Sequence, residues 1–212
     1  MILGAGFDSR AYRMSGIDRA CVFEVDLPGP QRLKQVRLEK ILGALPSHVT
    51  FVPIDFDRQK LEDAMRAAGF RTGAKTFFIW EGVTQYITAE AVDATFGYVS
   101  RAAAVGSEIV FTHIHHGIIN GSTRSEVDQR IVSFARRVGA PWIFGFDPAE
   151  LEGYLMARGL KLIEEVGVSE YRARYLAPLD REMNISESER VVLARVSRKD
   201  PALQPDRLRR LG

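Results

Sequence analysis

The stretches MILGAGFDSR at residues 1–10 and CVFEVD at residues 21–26 decide how this chain folds. Three apolar residues lead into Gly4-Ala5-Gly6, and a helical pattern from Asp8 to Met14 follows, so a strand must turn sharply into a helix. Glycine permits that turn because it has no Cβ, and it lets a ligand approach the backbone closely. The segment lacks the third glycine of the dinucleotide fingerprint, which disfavours a pyrophosphate ligand. On the glycines alone, a structural bend without a ligand remains an alternative. Asp26 ends the second apolar run 22 positions after Gly4, near the roughly 20-residue separation at which an acid meets a ribose in such folds. A carboxylate there can accept hydrogen bonds from both ribose hydroxyls. Glu24, two positions earlier, shares its face of the strand.

Outward from this unit, apolar runs recur at residues 1–3, 21–25, 49–54, 76–80, 108–112, 161–166 and 190–196. Helical patterns separate most of them, which predicts an α/β fold: a Rossmann-like, seven-stranded, mostly parallel sheet with helices on both faces. The last two runs follow each other without a clear helix, which permits an antiparallel last strand in a hairpin at the sheet edge. Residues 31–45 carry Leu33, Val36, Leu38, Ile41 and Leu42 at helical spacing, the pattern of an amphipathic helix. Further helices are predicted over 59–68, ended by Gly69, over 88–104 with Thr88 as N-cap, and over 122–138 and 148–158.

Two more strand ends carry acids. Asp55 and Phe56 put a polar acceptor beside an aromatic face, a pairing suited to an adenine, although Asp55 could instead cap the next helix. Glu81 follows the fourth run on the same edge, where open α/β sheets bind ligands. His113, His115 and His116 follow the fifth run and could supply a base, metal ligands or ordinary packing. His116 opposes the other two across the strand and no cysteine or acid completes a set, so no metal is expected. The segment 117–148, with Arg124, Arg130, Arg136, Arg137 and Trp142, reads as an acceptor wall or mobile cover, or as a solvated helix face.

Composition sets the outer limits. The 212 residues are 46% hydrophobic and 26% charged, the make-up of a globular protein, and they predict one domain over 1–197 with a basic tail at 198–212. Twenty-nine basic against 27 acidic residues leave a net charge of +2, no footprint for nucleic acid. Cys21 is the sole cysteine, expected to be buried; it allows no internal disulfide and suits a reducing, cytoplasmic setting. No run approaches about 18 apolar residues, so no membrane span is expected.

GAGFDSRAYR, FEVDLP, PIDF, FIWEGVTQYI, PWIFGFDP and RYL, in that order along most of the chain, resemble the leucine carboxyl methyltransferase family, especially its bacterial S-adenosylmethionine-dependent branch. The resemblance implies a class I methyltransferase with S-adenosyl-L-methionine as cofactor. It implies that Gly4 and Gly6 line the methionine portion, that Asp26 holds the ribose and that Asp55 and Phe56 hold the adenine. Glu81 would face the methionine amino group, Tyr86 would lie near the transferred methyl, and Arg10 would brace the loop. The implied acceptor is a small molecule or carboxylate-bearing group; His113 would serve as base only if the acceptor is a hydroxyl. Family members carry a helical segment with basic residues before the glycine loop, whereas here Gly4 has three residues before it, so the expectation is weak cofactor binding. An NAD-dependent oxidoreductase and a catalytically idle binding domain are the competing readings.

Overall fold

The computed structural model describes residues 1–122, 126–183, 185 and 188–197; Arg124 and the basic tail expected at 198–212 lie outside the described residues. Seven strands, β1 (Ile2–Leu3), β2 (Val22–Asp26), β3 (Val49–Pro53), β4 (Phe77–Trp80), β5 (Glu108–Ile114), β6 (Leu160–Val166) and β7 (Glu189–Val196), form one sheet. Its order is β3-β2-β1-β4-β5-β7-β6. The first five strands pair in parallel, and β7 runs antiparallel to both neighbours. All seven expected strands are present, and each expected boundary lies within two residues of the observed one. The last strand is antiparallel as expected, but it sits inside the sheet between β5 and β6, and β6 forms the edge.

The helices are α1 (Arg10–Arg13), α2 (Pro28–Leu42), α3 (Leu61–Ala67), α4 (Ala89–Ala102), α5 (His116–Ile119), α6 (Glu126–Arg137), α7 (Pro148–Ala157) and α8 (Val168–Tyr171). The Thr88 side chain caps α4 by accepting the Ala91 N–H at 3.2 Å, and Asp147 caps α7 through the Ala149 N–H at 2.9 Å. One face of the central parallel strands is closed, with Leu3, Val25, Phe78 and Trp80 fully buried, while on the other face Ile79 and Val110 are only partly covered. The main core is aromatic. Phe96 of α4 meets Trp80, Phe111 and Tyr154 edge-on, with ring centroids 5.1, 4.9 and 5.9 Å away. No helix among the described residues is long and apolar enough to cross a membrane.

Three expectations need correction. Cys21 is exposed, because β2 begins one residue later and the apolar run that contains it is not buried from its first position. Helix α2 does not bury the apolar face expected of it: Leu33, Val36, Ile41 and Leu42 are exposed, and Gln31 and Lys34 are buried. The reason lies on β2, where the buried Glu24 carboxylate takes the Lys34 ammonium at 2.7 Å and the Glu24 carbonyl takes the Gln31 amide at 3.0 Å. These bonds turn α2 so that its polar stripe faces the sheet. The connection between β6 and β7 is also no tight hairpin; it contains α8 and a wide helical turn at Arg172–Leu176, which short polar stretches did not reveal.

Truncating Phe96 to Ala should remove about 3–5 kcal/mol of stability in urea unfolding, the usual cost for a buried aromatic. Ile41→Ala on the exposed face of α2 should change it by less than about 0.5 kcal/mol. Comparable losses for both variants would contradict the observed rotation of α2.

Candidate functional site

The chain leaves β1 on one side of the sheet and β4 on the other, so the crevice between their carboxyl ends is the topological switch point where open α/β sheets bind ligands. Gly4, Ala5 and Gly6 form its floor. Gly4 and Gly6 have φ of +66° and +41°, a region that side chains disfavour. A Cβ on Gly4 would overlap Cγ2 of Val83, so the two loops of the switch point touch at that glycine. The Gly4 and Ala5 amides both donate to the Val25 carbonyl, at 2.7 and 3.0 Å, which fixes the bend against β2.

Asp26 closes the bend from the next strand. One carboxylate oxygen accepts the Gly6 N–H and the other accepts the Leu27 N–H at 2.6 Å. Each oxygen keeps a further lone pair, so the group can still accept hydroxyl protons. Asp55 lies two residues beyond Pro53, the register partner of Asp26. Its carboxylate accepts the Asp57 N–H at 3.1 Å and lies 3.5 Å from Arg58, while α3 starts at Leu61, so Asp55 organises a turn and is not the helix cap. Phe56, partly buried, packs against the main core.

Across the switch point, Arg10 joins the glycine loop to β4. Its guanidinium pairs with Asp8 at 2.6 Å and also with Glu81. Burial raises the Asp8 pKa, but the hydrogen bonds and charge of Arg10, with Lys34 behind, outweigh it and hold the carboxyl below its ordinary 3.8. The two carboxylates in turn keep Arg10 firmly protonated. After Glu81, the Gly82 N–H donates to the Thr112 hydroxyl at 2.8 Å and the Thr84 hydroxyl donates to the Thr112 carbonyl at 2.9 Å. These bonds seat the turn Thr84–Tyr86, which presents Tyr86 at 42% exposure. The Ile143 amide donates to the Gln85 carbonyl at 2.8 Å, tying part of the segment 117–148 to the same turn.

His113 is fully buried. Its Nε2 lies 3.2 Å from Glu165, which also accepts from Arg190 at 2.6 Å, so the ring links β5 to β6 and β7 inside the sheet. The hydrogen bonds from His113 and Arg190 hold the Glu165 carboxyl below its usual range, against the effect of burial. His115 caps α5 by accepting the Gly117 N–H at 2.8 Å. Sequence reasoning missed Lys34, Tyr12, Glu165 and Arg190. Each is a polar side chain that the fold covers wholly, as at Lys34, or in part, as at Tyr12, Glu165 and Arg190, and a single sequence does not mark burial.

A cavity of about 940 Å³ lies over one face of the sheet, floored by Ile2, Ile79, Val110 and Leu193. It reaches the carboxyl edge at Arg10, Glu81 and Tyr171, and its lining does not include Asp26 or Asp55. The three strand-end acids therefore share an edge, not this cavity.

Residues 1–100, which carry the glycine bend and the strand ends Asp26, Asp55 and Glu81, match the leucine carboxyl methyltransferase family model. A Bacillus subtilis (strain 168) relative, provisionally named an S-adenosyl-L-methionine-dependent methyltransferase, is 30% identical over 192 residues, 90% of this chain and 62% of its own length. A Mycobacterium tuberculosis (strain H37Rv) protein with the same provisional name is 38% identical over 122 residues, 57% of this chain and 38% of its own. The chain thus spans between about two fifths and three fifths of the length of these relatives. Among solved structures, an S-adenosylmethionine-dependent methyltransferase from Mesorhizobium loti superposes with a TM-score of 0.59 at 16% identity, over 92% of this chain and 88% of that one. Magnesium protoporphyrin IX methyltransferase from Synechocystis superposes at 0.55 and 12% identity, over 92% and 72%. At these identities the likeness shows the fold, the class I methyltransferase sheet.

Gly4→Ala should cost at least about 1–2 kcal/mol from backbone conformation alone, more once Val83 is displaced. Gly6→Ala, where the added Cβ meets only the Gly4 carbonyl at 3.9 Å, should cost less in the same urea titration. Asp8 sets an acid limb: its folded pKa lies below the ordinary 3.8, so its contribution is complete above that value and fades as pH falls through the depressed one. The stability gap between the parent and Asp8→Asn should be flat near neutrality and narrow in acid. A gap that widens on acidification would reverse the sign.

Proposed function

We propose that this chain binds S-adenosyl-L-methionine at the β1/β4 switch point and catalyses transfer of its methyl group to a small acceptor, through a carboxylate or hydroxyl oxygen. The observation that carries this reading is the Gly4-Ala5-Gly6 bend held by Asp26, in a segment of family sequence. The residues present fit such a nucleoside. Two glycines leave the backbone open to it, and a nearly buried carboxylate keeps free lone pairs beside the bend. The relatives' provisional names support the same cofactor.

In this reading Gly4 and Gly6 hold the methionine portion, Asp26 the ribose hydroxyls, and Asp55 with Phe56 the adenine. The cofactor supplies an electrophilic methyl on sulfur. The protein's part is to align an acceptor oxygen behind that carbon and to keep water away. Glu81 faces the amino group and is oriented by Arg10. Tyr86 stands beside the transferred methyl, and the 143–144 backbone that holds its turn forms part of the acceptor wall. A carboxylate acceptor arrives ionised and needs no base. A hydroxyl acceptor needs one, and His113 could take the proton only if the contacts that bury it open. Its burial against Glu165 favours the carboxylate alternative.

S-adenosylmethionine should raise the melting temperature of the chain, and NAD should not. Asp26→Ala should weaken S-adenosylhomocysteine binding at least about tenfold, the order expected on removing a charged acceptor of two hydroxyls. A parent protein stabilised by NAD and indifferent to S-adenosylmethionine would overturn the reading.

A further inference from the structure

Helix α2 carries an unusual burden for a helix beside a sheet: a lysine buried to 3% exposure and a glutamine buried to 4%, in place of the apolar residues its sequence offers. A buried ammonium is costly unless its charge is matched, and apolar side chains were available one and two positions away, at Leu33 and Val36. Lys34 reaches three different parts of the fold. Its Nζ lies 2.7 Å from the fully buried Glu24 carboxylate on β2 and 5.3 Å from the centre of the Tyr12 ring on α1. It also donates, at 3.5 Å, to the Ala5 carbonyl in the middle of the glycine bend. Its field also acts on Asp8, the anchor for Arg10 at the far end of the loop.

We infer that Lys34, held by Glu24, is a positioning residue for the Gly4-Ala5-Gly6 bend: it grips the bend from beneath at Ala5 while Asp26 grips it from the side at Gly6. The two grips come from one strand. Glu24 and Asp26 are two apart on β2, so both carboxylates face the same side. One orients a cation toward the Ala5 carbonyl, and the other accepts the Gly6 N–H directly. A residue that served packing alone would require neither a charge nor contact with the loop. The inference rests on the methyl-transfer reading, because the bend it positions is the one assigned there to S-adenosylmethionine.

The test uses the full chain and S-adenosylhomocysteine as probe. Glu24→Gln/Lys34→Met removes both charges together, so neither ion is left buried without its partner. This variant should unfold cooperatively, bind the probe at least tenfold more weakly by calorimetry, and exchange its Gly6 amide at least tenfold faster, with the Val25 and Val52 amides unchanged. Lys34→Arg provides a second variant that keeps the cation but not its compact shape; it should show the same selective effect on Gly6 and on binding. Parent-like affinity and parent-like Gly6 exchange in either folded variant would overturn the positioning role. If the parent itself fails to bind S-adenosylhomocysteine, the methyl-transfer reading falls, and the Gly6 exchange comparison still decides whether Lys34 positions the bend.

Discussion

The ion pair between Glu24 and Lys34 sits where the protein could least tolerate a lone charge, with both side chains almost wholly out of water beside the central strands. Burial pushes the Glu24 pKa upward, and the ammonium at 2.7 Å opposes that push. Because a buried carboxylate demands its cation, the rotation of α2 about its axis is not free. Lys34 must point at the sheet, Gln31 follows one turn before it, and Leu33, Val36, Ile41 and Leu42 are carried outward. Tyr12 is drawn into the same cluster: burial first, and then the neighbouring Glu24 charge, keep its hydroxyl protonated well beyond the ordinary range. The elements that flank the glycine bend are thus fixed by charge as much as by apolar contact.

The opposite half of the molecule is organised by different physics. Around Phe96, aromatic rings from α4, β4, β5 and α7 pack edge to face, and charge enters only at the rim, where Arg158 lies over the Tyr154 ring. The switch point lies between these two regimes. Its amino-terminal wall is held by the polar cluster under α2, and its other wall, the Gly82 to Tyr86 turn, is bolted to Thr112. Arg10 is the strap across the gap, with one carboxylate on each side.

Much of this was legible in the residues. Alternating apolar runs and helical patterns gave the seven strands because strand burial in a parallel sheet demands continuous apolar residues, and those are visible without any structure. Asp26, Asp55 and Glu81 were legible as strand-end acids because a carboxyl edge is defined by where each run stops. The face of α2 was not legible, since hydrophobic spacing assumes that apolar residues turn inward, and here an electrostatic demand from another element reversed that. Cys21 illustrates the same limit at a strand terminus. The burial of His113 depended on Glu165 and Arg190, 52 and 77 positions later in sequence, a distance over which spacing carries no information. The connection after β6 was missed because its helix is a single turn, too short to show a period.

The place of β7 in the sheet has a consequence for assembly. It separates β5 from β6, and among the described residues β6 pairs with no other strand. During synthesis, then, β6 and the far side of β5 must wait as open edges, exposed to wrong partners, until residues 189–196 have left the ribosome. The left half of the sheet, with its glycine bend, can close long before that. Closure of this side of the sheet therefore hangs on the last strand in chain order, and β6 has no place in the sheet until that strand arrives.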